Sequence, residues 1–417
     1  MARCRWIKLK IVLDHSEIPT QTLAAAPASA SGTTVAAPEK GAIRFDRNEL
    51  AGAFGDIGTD FPLLVGLVLT AKLDSASVLI LFGAMQILTG LFYRMPMPVQ
   101  PLKAMAALVI SQKLAGNVLF GAGLAIGLVM LVLALTGLTE WLARVVPKTV
   151  VRGIQFGLGL QLATLALRDF VQADGRNGYL LAGAAFLVTV CLMGNRRYPA
   201  ALFVIGLGVI YAMVFKLDIG ALGGSLGLRL PQFRVPSASD ILNGFVLLAL
   251  PQIPLSLGNS ILATRQVARD LFPERALTVR GISLTYALMN LINPIFGGVP
   301  TCHGSGGMAG HYTFGGRTGG SVVLYGAIYL LAGLFLSAGF ATLVQVFPKP
   351  MLGVLLLFEG LTLILLTRDL FESKTELAIA ALVGLMAVGL PYGYLVGMVA
   401  GTLLVYLTRK GWTRVTP

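Results

Sequence analysis

The sequence predicts an all-α polytopic membrane protein of about 14 transmembrane segments, arranged as a seven-plus-seven inverted repeat with half-helices at segments 3 and 10. Three observations predict it. Of the 417 residues, 56% are hydrophobic and 12% charged, about half the charged share of a soluble domain, so too little polar surface exists to cover a water-exposed particle. After a low-complexity start, apolar runs of about 16 to 24 residues alternate with short polar breaks, and most are long enough to span a hydrocarbon core of about 30 Å. The chain also repeats itself at an offset of about 200 residues. Val146-Pro147-Lys148 recurs as Phe347-Pro348-Lys349, Gly159-Leu160 as Gly360-Leu361, and Arg168-Asp169 as Arg368-Asp369. In the same order Gly55-Asp56 matches Gly258-Asn259, Pro98 matches Pro300, and Met105-Ala106 matches Met308-Ala309.

Residues 1–47 combine basic residues (Arg3, Arg5, Lys8, Lys10) with an Ala/Ser/Thr/Pro stretch, a composition that does not pack and reads as a disordered cytoplasmic tail. The basic start lacks the apolar core of a signal peptide, and an organelle-targeting role is the alternative. The segments begin near Leu50, Ala76, Pro96, Asn117, Lys148, Tyr179, Pro199, Ile241, Thr278, Pro300, Gly319, Pro348, Glu376 and Tyr392. An odd number of crossings per repeat inverts the second copy relative to the first. The net charge of +13 then reads as topology. With the tail inside, about 23 Lys/Arg fall on the inner side and about 8 outside. Arg144, Lys148 and Arg152, then Arg196 and Arg197, then Arg265, Arg269, Arg275 and Arg280, and Arg409, Lys410 and Arg414 lie inside, so both termini are cytoplasmic. No basic patch sits on a soluble module, so nucleic acid is excluded as a partner. Cys4, Cys191 and Cys302 are too far apart for a disulfide framework.

Segment 3 opens Met95-Pro96-Met97-Pro98-Val99-Gln100-Pro101-Leu102-Lys103-Ala104. The three prolines forbid helix before Pro101, which suits the first helical position. The amides of Leu102, Lys103 and Ala104 are then unpaired at a positive dipole end, an anion site if it lies within the membrane. Segment 10 repeats the arrangement in Gly297-Gly298-Val299-Pro300-Thr301-Cys302-His303-Gly304-Ser305-Gly306-Gly307, where glycines allow close backbone approach and His303 and Ser305 add donors. The plainer alternative makes both stretches loops outside the membrane. The Gly304 run also fits the dinucleotide pattern G-x-G-x-x-A, but no strand is expected before it and no acidic residue occurs between Glu274 and Glu359. Cys302, His303 and His311 match no common zinc spacing, and no metal or cofactor is predicted.

Charge at membrane depth marks pathways. Lys103, Asp56, Asp60 and Glu359 lie there. Asp56 and Asp60 are one turn apart and would share a face of a continuous helix, so one could pair with Lys103 while the other takes a proton. Asp56 either orients Lys103 or carries the coupling proton, with a purely structural ion pair as the alternative. Glu359 is either a coupling group or a polar contact between helices. Asp60 reads as structural, because Pro62 would break the helix beside it. In segment 8, Gln252, Ser256 and Asn259 fall four and three residues apart, forming one polar stripe toward the half-helices or, alternatively, helix-to-helix hydrogen bonds.

Four motifs together resemble the molybdate transporter family, related to the SulP sulfate permeases: Phe54-Gly55-Asp56-Ile57-Gly58-Thr59, Pro96 to Lys103, Pro251-Gln252-Ile253-Pro254-Leu255-Ser256, and Pro300 to Gly307 continuing through Gly310-His311-Tyr312 and Phe314-Gly315-Gly316-Arg317. Asp60 and His311 depart from the family pattern, where an aromatic residue and a glutamine are expected. The resemblance implies a fold like that of SulP and uracil permeases, with core halves at residues 48–145 and 237–345, and gate halves at 146–236 and 346–417. It implies proton-coupled, elevator-type import of a tetrahedral oxyanion, molybdate foremost, and a homodimer in the cell membrane, an organelle membrane being the alternative. The expected substrate shell is Gln100, Lys103, Ala104, Gln252, Ser256, Asn259, His303, Gly304, Ser305 and Gly306, with Asp56 and Glu359 in coupling. A sulfate transporter on the same scaffold is the nearest rival, and an anion channel the rival of another class. No enzyme motif is present.

Overall fold

The computed structural model describes residues 42–139, 141, 146–193, 200–216 and 227–412. Most of the predicted tail, and Arg144, Arg196, Arg197 and Arg414 of the inner loops, lie outside the described residues. The first half contains α1 (Arg47–Ala53), α2 (Ile57–Ala71), α3 (Ser75–Tyr93), β1 (Val99–Pro101), α4 (Lys103–Gln112), α5 (Gly116–Thr136), α6 (Lys148–Leu165), α7 (Gly175–Leu192) and α8 (Ala200–Phe215). The second contains α9 (Ala238–Leu271), α10 (Val279–Ile292), β2 (Thr301–His303), α11 (Ser305–Thr313), α12 (Gly320–Val346), α13 (Lys349–Leu365), α14 (Lys374–Gly389) and α15 (Gly393–Arg409). Seven described helices are long and apolar enough to cross a membrane, or up to eight if the bent pair α1 and α2 is one span. Apolar helices whose outer faces expose Leu180, Leu187, Ile210, Phe215 and Val399 suit a lipid environment rather than water.

The most extensive helix pairs are α3 with α12, α5 with α9 and α10, α6 with α13 and α14, and α14 with α15. Small residues bring helices together where they cross, the packing device available when lipid supplies no hydrophobic drive. A Cβ at Gly159 would meet the Gly360 carbonyl at 2.5 Å and one at Gly360 the Gly159 carbonyl at 2.8 Å. These two glycines are repeat equivalents in the sequence, and they touch each other.

Two predicted details change. The first helix is broken by 44° between α1 and α2, with Gly55 pressed against the backbone of Gly310. Asp56 therefore sits at the N-cap of α2, so it shares no continuous helix with Asp60. The helix runs through Pro62, which forfeits only the hydrogen bond to Gly58. Contacts to the helices also begin before residue 48. The Arg44 amide donates to Thr318 Oγ1 at 3.1 Å, and the buried Glu49 carboxylate accepts from the amides of Arg317, Thr318 and Ser321 at 3.0, 2.9 and 2.9 Å. A carboxylate at this helix start is favoured by the dipole of α12.

Candidate substrate site between two broken helices

β1 and β2 pair antiparallel, with Val99 opposite His303, Gln100 opposite Cys302 and Pro101 opposite Thr301. With Pro98 equivalent to Pro300 in the sequence repeat, Gln100 is equivalent to Cys302, and the central pair joins these two positions. Each strand is held by an amide side chain from the preceding helix. Gln86 donates to the Val99 carbonyl at 2.7 Å and accepts from its amide at 3.0 Å. Asn290 does the same for Thr301, at 2.6 and 3.0 Å. Backbone polar groups at membrane depth need such partners wherever helix is interrupted. The sequence reading missed Gln86 and Asn290, whose only signal is an amide inside an apolar run.

From this ribbon α4 and α11 depart with their amino ends at a shared cavity. The strand claims Pro101, and the Leu102 amide donates to the Pro300 carbonyl at 3.1 Å, so α4 starts at Lys103 rather than at Pro101. The cavity, of about 60 Å³, is lined among others by Gln100, Lys103, Gln252, Asn259, Ser305 and Gly306. A Cβ at Gly306 meets nothing within 4 Å, which places this glycine on open space. At Gly304 a Cβ would overlap the Gln100 amide, so glycine is required for the strands and α11 to close there.

Of the ten predicted residues, all but Ala104 and Ser256 line the cavity. The first amides of α11 have no intrahelical acceptor by helix geometry, and they lie at its positive end. Gln100, Gln252, Ser256 and His303 are engaged in holding this arrangement. Gln252 Oε1 accepts from the Ala104 and Met105 amides at 2.9 and 3.2 Å, so the Ala104 amide assigned to the anion is already capped. Gln252 Nε2 donates to Ser256 Oγ at 3.1 Å, and Ser256 bonds the Tyr286 hydroxyl at 2.7 Å. Ser256 is fully buried behind the cavity. Of the polar stripe of segment 8, Gln252 and Asn259 line the cavity and Ser256 does not, the helix being wound as π-helix over Ser256–Ala263.

His303 is not a free donor. Its Nδ1 meets the Pro98 carbonyl at 3.3 Å and its Nε2 the Thr285 hydroxyl at 2.7 Å, and Thr285 bonds the Tyr93 hydroxyl at 2.7 Å. The imidazole thus braces the strands against α10 and α3. Gln100 Nε2 donates to both oxygens of Asp56, at 2.7 and 2.6 Å. Lys103 Nζ lies 2.8 Å from Glu359 Oε1, and Thr59 Oγ1 donates to Glu359 Oε2 at 3.4 Å. The ion-pair partner of Lys103 is therefore Glu359 of α13, not Asp56. Long-range pairing of this kind has no signature in local spacing.

The family profile described as "Molybdate transporter of MFS superfamily" matches residues 48–162 and 244–363, which carry both broken helices and Glu359. The chain belongs to the molybdate transporter family. It is 34% identical to "Molybdate transporter 1" of Arabidopsis thaliana, over 88% of this chain and 90% of that protein. It is 33% identical to "Molybdate transporter 2" of the same plant, over 86% and 87%. The fold of this molybdate transporter family member is shared with solved structures at low identity. The transmembrane domain of the cyanobacterial bicarbonate transporter BicA aligns with a TM-score of 0.62 at 18% identity, covering 86% of this chain and 96% of that one. SLC26A9 aligns with a TM-score of 0.66 at 14% identity, covering 88% and 66%. The resemblance to SulP-type permeases read from the motifs is thus borne out in the fold.

Proposed function

We propose that the protein imports molybdate, bound as a tetrahedral dianion between Lys103 and the amino end of α11. The observation that carries this reading is a half-buried lysine at one broken helix facing the first amides of the other across a single cavity. Lys103, Ser305 Oγ, Asn259 and the amides following Gly304 are the direct ligands, while Gln100, Gln252, Ser256 and His303 fix the frame. Preorganised donors of this kind bind an oxyanion without reorganising when it arrives.

The chain crosses the membrane fourteen times in two inverted halves on this reading. Support comes from the Gln100 and Cys302 pairing and the reciprocal Gly159 and Gly360 contact. The heaviest packing falls within α1–α5 plus α9–α12, and within α6–α8 plus α13–α15, with lighter contacts between the sets. That pattern suits an elevator in which the first set moves the cavity past the second. Lys103 and Glu359 belong to different sets, so their ion pair is a latch across the sliding surface, and an arriving dianion competes with Glu359 for the lysine. Uptake is coupled to protons, the protein is a homodimer, and both termini are cytoplasmic in the cell membrane.

Purified protein in proteoliposomes should accumulate radiolabelled molybdate saturably, and an imposed inward proton gradient should raise the plateau. A tenfold excess of sulfate should compete weakly. Absence of saturable molybdate uptake would remove the substrate assignment, and stronger binding of sulfate would transfer it to sulfate.

A further inference from the structure

Six carboxylate and imidazole side chains are buried among the described residues: Glu49 caps α12, three belong to the site described, and two have a use in neither place. Asp60 and His311 are both fully buried. Neither carboxylate oxygen of Asp60 and neither ring nitrogen of His311 has a hydrogen-bond partner. Every other acidic or imidazole side chain around the cavity is satisfied: Asp56 by Gln100, Glu359 by Lys103 and Thr59, and His303 by Pro98 and Thr285.

The two orphans share one neighbour. Tyr325 of α12 sits beside Asp60, and its ring centroid is 6.0 Å from that of His311, edge to face. The Tyr325 hydroxyl reaches Tyr329 at 3.1 Å, and Phe82 closes the far side, its centroid 4.9 Å from that of Tyr329. An ionised carboxylate whose nearest donor is the Tyr325 hydroxyl is in such a setting far costlier than a neutral acid. The groups that face Asp60 are Asp56 at the start of α2, Lys103 on α4, Glu359 on α13, Tyr325 and Tyr329 on α12, and, through Tyr325, His311 on α11. Asp56, Lys103 and Glu359 bear one positive and two negative charges when ionised, and they reach Asp60 from the substrate side. A dianion entering beside Lys103 makes that field more negative, and a more negative field favours a proton at Asp60. Linkage is reciprocal, so a proton at Asp60 tightens the dianion by the same factor.

We propose that Asp60 is the residue that takes up and releases the transported proton, with Tyr325 and His311 forming the enclosure through which the proton leaves and enters. This rests on the proton-coupled reading given above and moves the coupling role from Asp56 and Glu359, whose oxygens are engaged by Gln100, Lys103 and Thr59, to a carboxyl outside the substrate shell.

The test uses full-length protein in proteoliposomes, with two readouts: molybdate accumulation driven by a pH gradient, and molybdate counterflow without a gradient. Asp60→Asn should retain counterflow within about twofold while losing about tenfold or more of gradient-driven accumulation, because a fixed neutral side chain leaves the carrier competent and uncoupled. His311→Gln should retain counterflow and slow gradient-driven uptake. Gradient-driven accumulation by Asp60→Asn equal to that of the unmodified protein overturns the assignment. If Asp60→Asn does not fold, Asp60→Glu decides: restored gradient-driven uptake supports the proton role, and failure of both variants in counterflow marks Asp60 as structural and overturns it. An unmodified protein that ignores the pH gradient while showing counterflow refutes the coupled reading itself, a result distinct from any behaviour of the variants.

Discussion

Replacing Lys103 by Gln isolates the electrostatics of the site. Lys103 Nζ is 2.8 Å from Glu359 Oε1, and the two side chains are 26% and 6% exposed. At an effective dielectric of about 20, unit charges about 4 Å apart interact by about 4 kcal/mol, so a dianion at that distance from Lys103 gains about 8 kcal/mol. Glu359, about 6 Å from the same dianion, opposes it by about 5 to 6 kcal/mol, leaving the pair worth a net 2 to 3 kcal/mol. Lys103→Gln loses the attraction and keeps the repulsion, and even halved by water in the cavity this is about 4 kcal/mol, or about 1,000-fold in affinity. The double variant Lys103→Gln with Glu359→Gln removes both and should lose only about 10- to 100-fold. Titration calorimetry with molybdate on detergent-solubilised protein measures each. The single variant should also melt earlier, because an unpaired buried carboxylate costs about 3 kcal/mol, and the double should recover that loss. A single variant that binds within threefold of the unmodified protein, or a double that binds more weakly than the single, would refute the reasoning.

Three other outcomes follow from the packing and are read by thermal unfolding and uptake together. Gly306→Ala places a methyl on open space, so stability should change by less than about 0.5 kcal/mol, while molybdate uptake falls because the cavity narrows; unchanged uptake would move the substrate elsewhere. Gly307→Ala drives a methyl into Asp56 and Pro98 and should cost about 1 to 3 kcal/mol by overpacking, with a clearly lower melting temperature. Gly360→Ala meets the Gly159 carbonyl at 2.8 Å and should separate α6 from α13 at a similar cost of about 1 to 3 kcal/mol. By contrast, removing the exposed Lys148 ammonium, 2.7 Å from Asp369, should change stability by under about 1 kcal/mol.

The broken helices were legible because proline and glycine act locally. Three prolines before Lys103 and four glycines around Ser305 leave few backbone conformations, and the amino ends of α4 and α11 at the cavity follow from them. The repeat was legible for a similar reason, since its glycines and prolines sit where helices cross or stop. What sequence could not supply are partners fixed only in three dimensions. A three-residue strand in a proline-rich apolar run has no period to read, so the β1 and β2 pairing and the late start of α4 were invisible. Gln252 was recognised as polar and placed near the cavity, but nothing local shows that it caps Ala104 instead of binding substrate. Lys103 had three buried acids within reach of a sequence argument, and only the approach of α13 selects Glu359. Glu49, Gln86, Thr285 and Asn290 each appear as one polar residue in an apolar run, and their roles depend on backbone groups that the fold brings to them.

Where the oxyanion sits can be observed directly. Diffraction at the molybdenum absorption edge from crystals grown with molybdate should show one strong anomalous peak between Lys103 Nζ and the amides of Ser305 and Gly306. A peak at another place in the protein, with this cavity carrying none, would contradict the site.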